Sequence, residues 1–502
     1  MSTARRFRPR SNVLSQTCDS DPRSAGCSAA PASTASRPRR VEKESAMLNR
    51  HPKWRRARFA TALLATAVAA AVTASACSSS PDGGGSDGGT LVVQSGLANS
   101  PGILAVYQKL NKQFEDENPG VKIDFVAKSF DDLASVAKLQ LSGTNPPNVT
   151  QVNRGYQAMG AFVKGGLLTN MDDYAKKNGW DSRQTAAQHQ LNRFSTDGKL
   201  MGEGPLWGMS ATTAWIGLLM NTEIAAKLGI TEGPKTIAEL EEQMQRAKAA
   251  GEIPMQFGSA NGELAAWLLS ELLLAQGGPQ VVQDLVFHHA NATFTSETAA
   301  WAARTMKSWG DKGYFTPDWT AYKTDQVLAN FIAGKGLFSL TSSRFIPLKG
   351  TPEQTKKFRM VFFPSVSGQG IAAVGAGDIP WTIPARAKKK DLAVKYIDFV
   401  TSQKAAEQFL AGGAIPSKPP ANADTAINAA DLPVPSQDAL RNGLKLVGEG
   451  TPVPYVDWGA PELYPTISRT FDQLMSGALS VDGLLAELQK SYGPFVESLE
   501  KG

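Results

Sequence analysis

The sequence predicts an α/β protein with two lobes. About 410 residues follow the glycine-rich and serine-rich run that ends at Gly89, and this is more than a single hydrophobic core usually holds. Hydrophobic periodicity alternates between strand and helix along the same region. No cysteine occurs from Ser78 to Gly502, which excludes a disulfide framework, a cysteine metal site and a cysteine nucleophile there. Together these features favour two α/β lobes stabilised by apolar cores.

The first predicted elements alternate in the order β-α-β-α-β. This order is typical of an open sheet that is covered by helices. The predicted strands are residues 90–94, 121–127 and 148–152, and the helices between them are residues 103–118 and 130–143.

The alternation resumes after residue 214. Thr236 is a candidate N-cap, because Glu239 follows three residues later as in a capping box. The proline-rich stretch 415–435 predicts a surface connection. The later predicted strands are residues 215–220, 338–341, 359–363, 371–374 and 381–383, and the later predicted helices are residues 222–228, 236–250, 391–412 and 481–500.

Eight segments in one order resemble the extracellular solute-binding proteins of carbohydrate-type ABC importers, the group that includes maltose-binding protein. They are "LVVQSG", "LNKQFEDENPGVKIDF", "QLSGTNPPNVTQVN", "AFVKGGLLTNMDDY", "LLMNTEIAAKLGI", "PKTIAELEEQMQRAKAAGEIP", "FIAGKGLFSLTS" and "AVKYIDFVTSQKAAEQFLAGGAIPS". The resemblance covers the chain from Thr90 onward. It implies a periplasmic-binding-protein fold (Venus flytrap), in which two discontinuous lobes are joined by a hinge and enclose a ligand cleft.

The resemblance also implies where the lobes begin and end. Lobe 1 is expected at residues 90–210 and 371–425, and lobe 2 at residues 211–370 and 426–502. The chain would cross between them near residues 209–214, near residues 364–371, and in the proline-rich segment after Ile415.

A lone cysteine, Cys77, follows an uncharged, alanine-rich stretch at residues 59–76, which a basic segment precedes. Ala74 to Cys77 resembles a bacterial lipobox, so residues 47–76 are predicted to be a lipoprotein signal peptide, Cys77 the lipid attachment point and residues 77–89 a flexible tether. A transmembrane anchor is the alternative, since the stretch is about long enough to cross a bilayer. Residues 1–46 are predicted to be a disordered leader or the product of a mis-assigned start, with synthesis beginning at Met47.

The leader also decides the charge balance. The whole chain carries 52 basic and 46 acidic side chains and a net charge of +6, but 14 of the basic and 4 of the acidic ones lie before Cys77. The remaining 38 basic and 42 acidic side chains give a net charge near −4. The basic balance therefore gives no support for a nucleic-acid partner.

Motifs for catalysis are missing after Cys77. Only His189, His288 and His289 occur there, and neither H-E-x-x-H nor G-x-S-x-G is present. The adjacent histidines are read as a solvated pair rather than a metal site, so no metal and no cofactor is expected. A pair of glycosidase carboxylates carries no sequence mark, which leaves a secreted glycoside-acting enzyme as an alternative.

Sugar binding calls for aromatic faces, which stack on the C–H face of a pyranose, and for planar polar side chains, which bind its hydroxyls. Such groups are expected in loops that follow strands. The candidates of this kind are Asn99, for which helix capping is the alternative, Asn153, Arg154, Tyr156, Gln157, Trp207, Trp267, Ser343 and Arg344.

The resemblance adds candidates from two further segments. "VGAGDIPWTIP" would bring Gly377 and Asp378 to the cleft, and Trp381 either to the cleft or to the core. "DWGAPELYP" would supply a stacking aromatic, Tyr464, with Trp458 as its rival. Maltose-type relatives carry Gly-Pro-Trp where this chain has Ser342, Ser343 and Arg344, which puts an oligomaltoside ligand in doubt.

The function implied is non-enzymatic: capture of a sugar or related polyol and its delivery to the transmembrane subunits of an ABC permease. The protein would be a monomer that is lipid-anchored to the outer face of the cell membrane. A binding protein for a non-sugar solute, or one that senses rather than imports, remains a further alternative.

Overall fold

A computed structural model describes residues 89–289, 291–346, 352–375 and 377–500. The predicted leader, signal peptide and lipid attachment point at Cys77 lie outside the described residues. The strands are β1 (Gly89–Ser95), β2 (Val121–Ala127), β3 (Val149–Gln151), β4 (Arg193–Phe194), β5 (Met201–Leu206), β6 (Thr212–Thr213), β7 (Ile216–Asn221), β8 (Met255–Gln256), β9 (Phe338–Ser342), β10 (Phe358–Phe362), β11 (Ala372–Val374), β12 (Trp381–Thr382), β13 (Ile415–Pro416) and β14 (Thr451–Val453).

Helices separate most of these strands. The helices are α1 (Pro101–Glu117), α2 (Phe130–Ser142), α3 (Ala161–Lys164), α4 (Asp172–Asn178), α5 (Ala186–Leu191), α6 (Thr222–Lys227), α7 (Ile237–Ala249), α8 (Glu263–Phe287), α9 (Glu297–Asp311), α10 (Thr324–Ile332), α11 (Pro352–Thr355), α12 (Lys390–Val400), α13 (Gln403–Ala411), α14 (Ala423–Ala429), α15 (Val434–Gly448), α16 (Leu463–Met475) and α17 (Val481–Glu500). Within the described part of the chain, no helix has both the length and the apolar character to span a membrane.

The first sheet has the strand order β12-β3-β1-β2. β1 runs parallel to both of its neighbours, with Leu91 opposite Ile123 and Val93 opposite Val149. Leu91 and Val93 are fully buried beneath α1, α12 and α13, as expected for a parallel strand that is covered by helices. This sheet and the helices packed on it are called the first lobe.

The second sheet has the strand order β10-β7-β9-β8. β7 lies at its centre, is buried along its whole length, and pairs antiparallel with β9 and β10. The apolar first half of α8 crosses the core beside this sheet, and α8 is interrupted at Gly278 (φ 73°), just before Pro279. This sheet and the helices around it are called the second lobe.

Three connections run between the two lobes. The first passes through β6 and the third through β13, and these two strands pair antiparallel with each other. The second returns to the first sheet after Val374, because β11 still pairs with β14 and the Val374 N–H donates to Glu271 of α8. The sequence predicts this crossing near residues 364–371. The complete lobe boundaries stay a prediction.

Two predicted elements differ from the structure. The single helix predicted at residues 391–412 is two helices, α12 and α13, because the Ser402 side chain accepts from the Ala405 N–H and starts a new helix. The proline-rich stretch is not a plain connection, since it contains α14, which buries Ala423 and Ile427. The N-cap prediction is confirmed: the Thr236 hydroxyl accepts from the Glu239 N–H at 3.1 Å.

Candidate functional site

A cleft of about 350 Å³ lies between loops of the first lobe and loops of the second. The first lobe contributes the start of α2, the segment after β3 and the segment before β12. The second lobe contributes the start of α8, the turn after β9 and the segment between β14 and α16. The polar and aromatic residues that line the cleft are Phe130, Asp131, Gln151, Asn153, Arg154, Gln157, Phe162, Glu263, Trp267, Ser342, Arg344, Phe345, Asp378, Tyr455, Asp457, Trp458 and Tyr464.

The segment after β3 brings two amides into the cleft. Asn153 is half-buried, and its side chain makes no hydrogen bond to any residue that the structure describes. Gln157 donates to Oδ2 of Asp457 at 3.4 Å, while its own Oε1 is buried without a partner among the described residues. Both amides can therefore exchange hydrogen bonds with a ligand.

Gly155 lets this segment pass close to the opposite wall. Its φ is 85°, and a Cβ at this position would lie 2.9 Å from the side chain of Trp458. Only glycine tolerates both conditions. The turn from Tyr156 to Gly160 then continues into α3.

Arg154 lies in the wall of the cleft and is almost completely buried. The side chain is 1 % exposed, and its guanidinium donates to Oδ1 of Asn192 at 2.8 Å, to the Gly377 carbonyl at 3.0 Å and to Oγ of Ser210 at 2.5 Å. Burial lowers the pKa of Arg154 to about 10. Its donors are bound to the protein, so Arg154 positions the cleft wall.

Arg344 joins the two lobes. Its guanidinium donates to the Gly96 carbonyl at 2.7 Å and to Oγ of Ser100 at 3.4 Å, both of which follow β1. It also lies 5.8 Å from the ring of Phe130 and 5.5 Å from the ring of Phe345. The side chain thus closes one side of the cleft, and protein groups occupy much of its capacity to bind an anionic ligand.

Asp378 is held from several directions. One carboxylate oxygen accepts from the Thr212 hydroxyl at 3.2 Å and the other from the Ile379 N–H at 2.8 Å. Nη1 of Arg344 lies 3.8 Å from Oδ1. Gly377 precedes it, and a Cβ there would lie 2.7 Å from Nη2 of Arg154. The two residues therefore hold the segment before β12 close to Thr212 and Arg154.

The second lobe supplies an acidic and aromatic wall. Burial, together with the nearby Glu263 carboxylate, raises the pKa of Asp457 to about 7. Burial also raises the pKa of Glu263, while the charge of Arg344 lowers it and that of Asp131 raises it. Trp267 lies one helical turn after Glu263, and the Tyr464 hydroxyl donates to the Asn261 carbonyl at 2.5 Å. Glu263 and Trp267 thus share one face of α8.

Nine of the predicted site residues line the cleft, and five do not. The nine are Asn153, Arg154, Gln157, Trp267, Arg344, Gly377, Asp378, Trp458 and Tyr464. Asn99 is exposed outside the cleft, and the neighbouring Ser100 contacts Arg344.

The other four predicted residues have structural partners. The Tyr156 hydroxyl accepts from the Met201 N–H, and Oγ of Ser343 accepts from the Trp215 N–H. The Trp207 indole donates to the Phe194 carbonyl, and the Trp381 indole donates to the Tyr107 hydroxyl. Trp381 is fully buried, which resolves the choice between cleft and core in favour of the core.

Several lining residues were missed from the sequence. Asp457 adjoins the predicted Trp458, and Glu263 lies in the same "NGELAAWLL" segment as Trp267, so spacing offered a signal for both. Phe130 and Asp131 open α2 and look like ordinary residues of a first helical turn. No sequence motif around Tyr455 identifies it as a residue of the cleft.

The predicted solvated histidine pair is wrong for one member. His288 is half-buried, with Nε2 2.6 Å from the Gly459 carbonyl and Nδ1 3.3 Å from the Tyr156 hydroxyl. His289 is exposed and pairs with Asp284. Among the described residues, no group of three His, Cys, Asp or Glu side chains is placed to hold a metal ion.

Comparison with known proteins adds a family match. Residues 98–407 match the family described as bacterial extracellular solute-binding protein. A probable sugar-binding periplasmic protein of Mesorhizobium japonicum is 31% identical over 175 residues, which are 34% of this chain and 39% of that protein. A multiple sugar-binding protein of Streptococcus mutans is 24% identical over 315 residues, 61% of this chain and 70% of that protein.

A solved structure shares the fold. The GacH receptor of Streptomyces glaucescens, determined without ligand and with acarbose, superimposes with a TM-score of 0.66 at 18% identity. The match covers 82% of this chain and 99% of that receptor. This similarity confirms the predicted two-lobed α/β fold.

Proposed function

Because the chain belongs to the bacterial extracellular solute-binding protein family, we propose that it captures a sugar or related polyol in the cleft between its lobes and delivers it to the permease of an ABC importer. The relatives described as sugar-binding proteins support the ligand class. Their alignments span 39% and 70% of the relatives' lengths, so the proposal depends chiefly on the chemistry of the cleft.

The observation that carries this proposal is the combination of aromatic walls with free polar groups. The rings of Trp267, Tyr455 and Tyr464 offer faces for the C–H surface of a pyranose. The Asn153 amide and Oε1 of Gln157 offer hydrogen-bonding groups that the described residues leave unused. A sugar hydroxyl both donates and accepts, so it suits these amides.

Ligand capture would involve the hinge and not covalent chemistry. A ligand that contacts both walls favours the closed arrangement of the lobes, because its differential affinity shifts the population toward that state. The closed surface would then be presented to the permease. Membership of a solute-binding family agrees with this non-enzymatic role.

We further propose that Cys77 anchors the protein to the outer face of the cell membrane. The alanine-rich stretch before it and the glycine-rich and serine-rich run after it support a lipoprotein signal followed by a tether. More than one acyl chain would be required for stable attachment. The anchored protein would act as a monomer next to its permease.

A ligand screen tests the proposed function. Purified protein is melted in the presence of single neutral sugars, amino sugars, polyols and sugar acids, and the affinity of each stabilising compound is then measured by calorimetry. We expect at least one carbohydrate to raise Tm and to be recovered chemically unchanged. Stabilisation by a peptide or a metal ion alone would overturn the proposal, and turnover of a glycoside would favour the enzyme alternative.

A pair of asparagine variants makes the test site-specific. Asn153→Ala removes a free amide of the cleft, and we expect affinity for the carbohydrate to fall about tenfold, in line with the loss of hydrogen bonds to a bound ligand. Asn422→Ala removes an exposed amide outside the cleft and should leave affinity unchanged. Equal affinities for both variants would place the ligand elsewhere.

A further inference from the structure

More acidic than basic side chains line the cleft. The six ionisable side chains concerned are Asp131, Arg154, Glu263, Arg344, Asp378 and Asp457. Both guanidinium groups are bound to protein acceptors, Arg154 within the wall and Arg344 across the lobes. Asp378 lies beside Arg344 and accepts from Thr212 and Ile379. The two arginines and Asp378 therefore have their hydrogen bonds and ion pairs within the protein.

The remaining three carboxyl groups have no salt-bridge partner among the described residues. Asp131, Glu263 and Asp457 form no ion pair with any residue in the described part of the chain. Their charges oppose one another, because Asp131 raises the pKa of Glu263 and Glu263 raises that of Asp457. Asp457 is 6 % exposed, so water compensates its charge poorly. A cation that enters the cleft would stabilise the ionised forms of these three carboxyl groups.

A metal ion is not the cation that these three carboxyl groups are arranged to bind. The carboxyl groups come from α2, α8 and the segment before α16, and no three acidic or imidazole groups of the described residues converge on one ion position. The rings of Trp267, Tyr455 and Tyr464 line the same wall. Aromatic faces combined with spread carboxylates suit an organic ammonium group, which gains from cation–π attraction as well as from ion pairing.

We propose that the ligand of this cleft is a carbohydrate or polyol that carries a protonated amine, with the ammonium group held by Asp131, Glu263 and Asp457. The inference depends on the proposed function and specifies its ligand class. It also disfavours sugar acids and phosphorylated polyols. An anionic group would meet three unpaired carboxylates and two arginines whose donors are already engaged.

The experiment uses ligand triplets that differ at one substituent. Glucose, glucosamine and N-acetylglucosamine form one triplet, the galactose and mannose series form two more, and the β-1,4-linked disaccharides of the first form a fourth. Only the free amine carries charge at pH 7. We expect one amine to bind at least tenfold more tightly than both of its neutral partners, and this preference to shrink between 50 and 500 mM NaCl.

Charge variants locate the amine. Glu263→Gln and Asp457→Asn should each weaken binding of the amine at least fivefold more than they weaken binding of its neutral partner. Asp131→Asn should act in the same direction. Its matched control is Asp132→Asn, since Asp132 is also exposed in the first turn of α2 but does not line the cleft. Three variants on separate elements keep the test valid if one fails to fold.

Each outcome decides the proposal. A neutral sugar that binds as tightly as its amine, or an amine preference that survives all three variants, overturns it and leaves the proposed sugar-binding function standing. Failure of every amine and every neutral compound in the wider carbohydrate screen overturns the proposed function as well. An amine preference that the three variants remove and the control variant keeps supports both.

Discussion

Nη2 of Arg344 donates a hydrogen bond of 2.7 Å to the carbonyl of Gly96, which lies 248 residues earlier in the chain. Arg344 follows the second sheet and Gly96 follows the first, so this contact joins the lobes without a ligand. A charge-assisted hydrogen bond of this kind favours the closed arrangement of the cleft.

Arg344→Ala should therefore open the unliganded protein. We expect a larger radius of gyration by small-angle X-ray scattering, and about tenfold weaker ligand binding, because about 1–2 kcal/mol of bridging energy is lost. Arg386→Ala is the control, since Arg386 bonds to the Ser142 carbonyl and is exposed. If both variants scatter like the parent protein, Arg344 does not influence closure.

Arg154→Met should destabilise the fold. The substitution leaves Asn192, Ser210 and the Gly377 carbonyl without their buried donor, and we expect a loss of about 2–4 kcal/mol in the free energy of unfolding. The measurement is urea denaturation. Arg246→Met, which removes an exposed helical ion pair with Glu242, should cost less than about 0.5 kcal/mol. A small loss for Arg154→Met would contradict the positioning role.

Glu271 should make stability fall as the pH rises. Its burial raises its pKa to about 8, so the folded state holds a proton that the unfolded state releases at lower pH. The stabilisation is complete below the ordinary carboxyl pKa and is lost as the pH rises through about 8. Glu271→Gln should flatten this dependence, with equal stability at about pH 4 and a gain on the order of 3 kcal/mol at about pH 9. Parallel pH profiles for the two proteins would exclude this assignment.

Trp267→Phe should weaken ligand binding several-fold, because the smaller ring offers less stacking surface within the cleft. The ligand-induced change in tryptophan fluorescence should shrink in the same variant. Trp301→Phe serves as the control. Trp301 lies on α9, where it is partly buried against the core of the second lobe, and it does not line the cleft. Equal ligand responses in the two variants would remove Trp267 from the site.

Cys77→Ser should release the protein from the membrane. A lipobox cysteine supplies the attachment atom, so without its thiol we expect the protein in the soluble extracytoplasmic fraction and no incorporation of labelled fatty acid. Cell fractionation and metabolic labelling measure both effects. Retention of Cys77→Ser at the membrane would favour the transmembrane anchor.

Sequence reasoning predicted several elements of both lobes closely. The strand at residues 121–127 and the helix at residues 481–500 have the bounds that hydrophobic periodicity indicated. Sequence reasoning overlooked α8, although this helix forms the centre of the core of the second lobe. Its first half is apolar on nearly every face, so no amphipathic period marks it. Local patterns predict half-buried elements better than fully buried ones.

The candidate site was predicted less completely, for a related reason. Residue type and loop position identified Asn153, Gln157 and Trp267 as cleft residues. The same criteria selected Trp381, whose indole is instead bonded to Tyr107, 274 residues away. They passed over Asp457, whose significance depends on Glu263 beside it in space.

By itself, the sequence determined the alternation of strands and helices, the two-lobed fold and the membership of a solute-binding family, because these follow from local periodicity and from segments in a recognisable order. Only the tertiary structure decided which polar groups remain free for a ligand. In the sequence, Arg154 and Arg344 are equally good candidates for ligand contacts. In the structure, Arg154 donates to the Gly377 carbonyl and Arg344 donates to the Gly96 carbonyl. Whether a side chain has free hydrogen-bonding groups depends on partners that are hundreds of residues away in the sequence. These partners come close to it only when the chain folds.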